Sequence, residues 1–69
     1  MNVEPVPTLI RLITEEEYEI TDSYWAFSVP RTGDGLRRLG TLYLVVDVEW
    51  EPQGFPVVQQ RATLTLRPL

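Results

Sequence analysis

At 69 residues, 43% of them hydrophobic, the chain holds one small domain at most. A core of that size leaves little margin of stability unless a disulfide, a metal or association supplements it. There is no Cys and no His, so disulfides and the usual zinc ligand sets are excluded. Ten acids against six bases give a formal charge of −4, which opposes binding to phosphate backbones and leaves proteins as the expected partners.

In chain order, the opening "VEPVPT" carries Pro5 and Pro7, each of which restricts its predecessor to extended geometry. Residues 1–8 are therefore read as an extended arm, with Val3, Pro5, Val6 and Pro7 available to a neighbour, and residues 9–69 as one small β domain. The next stretch, "LIRLITEEEYEITDS", puts Glu15, Glu16, Glu17, Glu19 and Asp22 within eight residues. Parity favours a strand here: Ile10, Leu12, Thr14, Tyr18 and Ile20 fall on one face, and Arg11, Glu15, Glu17 and Glu19 on the other. Glu16 breaks the pattern by pointing inward, where it would need an arginine such as Arg61 or Arg38. The alternative is an α+β chain with one short helix near residues 15–21, since Thr14 and Glu17 have the spacing of a capping box. Thr21, Asp22 and Ser23 then supply a turn.

"SYWAFSV" is apolar on both parities and stops at Pro30, as expected of a short strand covered on both sides or facing a partner. Trp25 and Phe27, together with Trp50, are assigned to the core. "PRTGDGLRR" is read as a loop carrying Arg31, Arg37 and Arg38; it lacks the length and the lysine of a phosphate-binding loop.

The strongest signal is "LGTLYLVVDVEWE". Leu42, Leu44, Val46, Val48 and Trp50 share one parity, while Thr41, Tyr43, Val45, Asp47, Glu49 and Glu51 share the other. This predicts a strand with its even residues inward. Tyr43 and Val45 then stand on the otherwise polar face, which marks them as a contact patch. "EPQG" offers Pro and Gly for a turn, and "FPVVQQRATLTLRPL" returns as a strand with Val58, Ala62, Leu64 and Leu66 on its apolar side. The fold class that follows is all-β: a small antiparallel meander of about four strands, forming a sandwich or partial barrel with an extended N-terminal arm.

Catalytic groups are scarce. With neither His, Cys nor Lys, a serine or threonine nucleophile has no ordinary base. Asp47 and Glu49 share a strand face, but two acids on a wet face ordinarily serve solubility. No catalytic residue, cofactor or metal is assigned. No apolar run reaches the length of a membrane span and no leader pattern opens the chain, so it is read as soluble, without membrane association and with its compartment open.

The expected function is a non-catalytic protein interaction or assembly module: a homo-oligomer or a small structural subunit of a larger assembly, such as a virion or capsid-stabilising protein. Its interface residues would be Val3, Pro5, Val6, Pro7, Tyr43 and Val45, with Glu15, Glu17 and Glu19. The alternative is an acidic inhibitor or immunity-type protein, in which those three glutamates block a basic site on a partner enzyme.

Overall fold

The computed structural model describes residues 6–51 and 60–69 and is all-β: five strands in one mixed sheet curled into a half-barrel. The strands are β1 (Thr8–Thr14), β2 (Tyr24–Ala26), β3 (Gly35–Arg38), β4 (Thr41–Glu51) and β5 (Gln60–Pro68). Their spatial order is β2-β1-β5-β4-β3. Neighbours pair antiparallel, as the meander requires, except at the centre, where β1 and β5 run parallel from Thr8↔Gln60 to Thr14↔Leu66.

β1 and β5 form because each alternates apolar and polar residues over a strand's length, and their registers superimpose the apolar sets. Ile10 lies beside Ala62 and Leu12 beside Leu64. On the far side of β5, Val48 pairs with Leu64 and Val45 with Leu66. This concave face is the core, with Ile10, Leu12, Val45, Leu64 and Leu66 all fully buried. Ile20, Tyr24, Ala26, Val29, Leu36, Tyr43 and Val48 pack around them. The expected apolar side of the last strand is thus correct for Ala62, Leu64 and Leu66, while Val58 lies outside the described residues, as do Val3, Pro5 and the "PQG" of the expected turn. Thr8, counted above with the arm, opens β1 and is buried.

β4 departs from its predicted facing. The register slips between Val45 and Asp47, so Val46 is a β-bulge and inserts one residue into the alternation. Before the bulge the odd residues Tyr43 and Val45 face the core; after it the even residues Val48 and Trp50 do. The assignment of Tyr43 and Val45 to a wet contact patch is therefore corrected. Val45 has no exposed surface, Tyr43 packs against the core, and Leu42, expected inside, is 39% exposed.

The acidic run is corrected as well, since residues 15–21 form neither a strand nor a helix. β1 ends at Thr14, and the chain reverses through Glu15 and Glu16. The Glu17 amide donates to the Thr14 carbonyl at 2.9 Å, and the Thr14 amide to the Tyr18 carbonyl at 2.8 Å. Glu17 takes a φ of 69°, which closes a type I turn followed by a left-handed residue, a common three-residue hairpin loop. The returning segment bridges Ile13 to Glu19, and the Ile20 amide donates to the Leu12 carbonyl. It covers the length of β1 that the shorter β2 leaves free.

Two other turns shape the opposite edge. The Asp34 carboxylate accepts from the Arg31 amide at 2.8 Å while the Asp34 amide donates to the Arg31 carbonyl, with Gly33 at a φ of 97°. That turn starts β3 from a segment expected to be all loop. β3 and β4 are then joined by Leu39 and Gly40, both at positive φ, the geometry of a tight type I′ hairpin. The curl brings side chains of the two outer strands together: the Arg38 guanidinium of β3 stacks 4.6 Å from the centre of the Tyr24 ring of β2.

Candidate interaction surfaces

Two of the three glutamates singled out in the sequence are held by the protein's own arginines. Arg67 of β5 donates through Nε to Glu15 Oε1 at 2.7 Å and through a second nitrogen to Glu15 Oε2 at 3.1 Å. Such a bidentate fork fixes geometry as well as charge. This hydrogen bond holds the Glu15 carboxyl below its ordinary range and raises Arg67 in turn. Arg11 donates to Glu19 at 2.9 Å. Glu16 and Glu17 project into solvent from the turn, and among the described residues neither makes an ion pair. Glu16 meets neither Arg61 nor Arg38. Val6 is exposed and Pro7 half-buried.

The aromatic residues assigned to the core lie largely outside it. Trp25 is 54% exposed, Phe27 72% and Trp50 51%. Trp25 belongs to the convex face, beside Leu9. Trp50 does face the concave side, opposite Ala62, but β3 does not reach far enough along β4 to cover it. Parity placed Trp50 on the correct face; no periodicity reveals how far a neighbouring strand extends.

The sheet's two edges differ in character. At one, β2 presents Tyr24, Trp25 and Ala26, an uncharged stretch followed at once by exposed Phe27. Tyr24 is half-buried, and burial raises its hydroxyl pKa while the nearby Arg38 charge opposes the shift. At the other edge, β3 pairs with Thr41–Leu44, and backbone bonds from Gly33 and Asp34 reach Val45. Beyond Val45, no described residue pairs with the outer side of Val46–Glu51. There the chain crossing from β2 to β3 passes over the strand, and Val29, Pro30, Arg31 and Thr32 form a cavity of about 290 Å³ with Val48 and Trp50. A smaller pocket of about 80 Å³ lies on the convex face, between Arg11, Arg61 and Glu51.

Among the described residues there is no group of three or more His, Cys, Asp or Glu side chains placed to hold a metal, and no helix is long and apolar enough to cross a membrane. No protein-family model, curated protein or solved structure matches the chain.

Proposed function

We propose that this protein is a non-catalytic interaction module that associates with copies of itself through the β2 edge, as a small structural subunit of a larger assembly; a virion or capsid-stabilising subunit is one form of that role. The observation that carries the reading is the exposure of Trp25 and Phe27 on and beside an uncharged edge strand. Large aromatics dominate interface energetics because each removes much apolar area from water. Edge strands normally defend themselves with charge, and Tyr24–Ala26 has none. Antiparallel pairing of two β2 edges would set Trp25 against its own copy, a favourable cross-strand combination. The shortage of catalytic groups in the sequence supports the same reading. The acidic blocker is weaker by comparison, because Glu15 and Glu19 are engaged by Arg67 and Arg11.

The test is the mass of the purified chain by sedimentation equilibrium from micromolar concentration upward. The wild type is expected to exceed the 8.0 kDa monomer as concentration rises, and Trp25→Ser with Phe27→Ser to remain monomeric with an unchanged far-ultraviolet spectrum. A wild type that stays monomeric throughout the range, or a double variant that associates equally, overturns the proposal.

A further inference from the structure

The second edge has a different chemistry, and it defines a different partner. Val46–Glu51 combines three features: an outer side that no described residue pairs with, a cavity beside it walled by Val48, Trp50 and the Val29–Thr32 crossover, and a row of acids, Asp47, Glu49 and Glu51, on the opposite face. Thr65 and Thr63 lie across from Asp47 and Glu49 while Arg61 lies across from Glu51, so Asp47 and Glu49, which make no ion pair among the described residues, carry most of the negative charge of the row. An added strand would lie directly beside this row.

A second copy of β4 is a poor occupant. Antiparallel pairing about Glu49 would set Glu49 against Glu49 and Asp47 against Glu51, and like charges directly opposite one another destabilise a strand pair. An extended segment with basic residues at alternate positions has the opposite balance. Its cations would meet Asp47, Glu49 and Glu51 on the convex side, and its intervening apolar side chains would enter the cavity against Trp50 and Val48. Strand addition of this kind takes affinity from main-chain hydrogen bonds and specificity from alternate side chains. The cavity volume lies near the lower end of the about 300–1,000 Å³ typical of ligand sites, small enough to accept side chains and not a folded element.

We propose that the β4 edge over Val46–Glu51 binds an extended peptide segment, alternating basic and apolar residues, from a protein partner. The site rests on the reading of the chain as an interaction module, but it is separate from the β2 edge and is tested separately. The probes are three capped hexapeptides: arginine alternating with valine, glutamate alternating with valine, and the arginine peptide N-methylated at alternate positions so that it cannot complete a ladder. Each is titrated into the full-length, isotope-labelled chain and followed by backbone amide shifts.

The arginine peptide is expected to shift the amides of Val46–Glu51 and Arg31–Gly33 saturably. The glutamate and N-methylated peptides are each expected to bind at least about tenfold more weakly, since charge and backbone pairing both contribute. Asp47→Lys with Glu49→Lys changes two exposed side chains and should reverse the preference between the arginine and glutamate peptides. The proposal is overturned if the arginine peptide fails to saturate, if its shifts centre on the Glu15–Glu17 turn or on β2, or if the glutamate or N-methylated peptide binds equally well. These comparisons on the wild type decide the matter even if the double variant does not fold. Trp25→Ser with Phe27→Ser should still bind the arginine peptide, so loss of self-association and loss of peptide binding are read independently.

Discussion

Leu39 and Glu17 occupy left-handed backbone conformations, at φ 52° and 69°, that cost an ordinary L-residue roughly 1–2 kcal/mol and suit glycine or asparagine. Both side chains are exposed, Leu39 by 77%, so neither earns the conformation through packing. Asn-Gly is the favoured pair for a type I′ hairpin. Leu39→Asn and Glu17→Asn are each expected to raise stability by about 1 kcal/mol, measured as an increased urea midpoint at constant slope. An unchanged or lower midpoint would mean that the turns are not formed as described. Neither position advertises itself in the sequence, because leucine and glutamate are not turn signals.

Glu15 adds a pH dependence whose sign follows from its partner. Its carboxyl is held below the ordinary 4.5, chiefly by the hydrogen bond from Arg67. A group with a depressed folded value stabilises the fold above its unfolded value, and that contribution disappears as pH falls through the depressed one. Denaturant midpoints should therefore decline as the medium is acidified below 4.5, and Glu15→Gln should flatten this decline. Since the pair is exposed, added salt should reduce the difference between the two proteins. An identical acid limb in the variant would show that the Arg67 contact is not maintained in solution.

β4 shows what a single inserted residue does to an element. Its existence and alternation are legible from Leu39 to Glu51, and so is the inward facing of Val48. The phase of its first half is not, because Leu42, Tyr43, Leu44, Val45 and Val46 are apolar on both parities, and only packing selects which set turns inward. Two adjacent valines ahead of Asp47 are the one local sign that the alternation breaks there. The bulge makes a direct forecast: Val45→Ala should cost about 2 kcal/mol, as for other buried aliphatic side chains, whereas Leu42→Ala should cost under about 1 kcal/mol. Equal losses in urea denaturation would return β4 to unbroken alternation. The acidic run failed to read correctly for a related reason, since a three-residue hairpin loop between Thr14 and Tyr18 leaves the apolar parity on either side of it intact.

For the molecule as a whole, the class, the number of strands to within one and most of the core could be read from apolar periodicity. The parallel pairing of β1 with β5 could not, because periodicity reports which face is buried and is silent on which strand lies alongside. The same limit explains Trp25, Phe27 and Trp50. Being large and apolar argues for burial, but Trp25 lies on the convex face, Phe27 follows the end of an edge strand, and β3 stops short of Trp50. The acids flanking Trp50 have the look of ordinary solubilising charge; beside an edge that no described residue pairs with, like charges set opposite one another would also disfavour a second copy of the same strand.

The parallel pair at the centre also makes both halves of the sheet depend on one strand. Thr8 and Gln60 touch across 52 positions of chain, and the strand that joins the two halves of the sheet is the last of the five to be synthesised. Until β5 leaves the ribosome, β1 has only β2 and the Tyr18–Ile20 return segment on one side, β4 has only β3, and Ile10, Leu12 and Val45 have no common core to enter. A lone strand pair with no covered apolar face is marginal at best in water, so neither half is expected to hold together without β5, and the whole sheet is expected to form in one cooperative step.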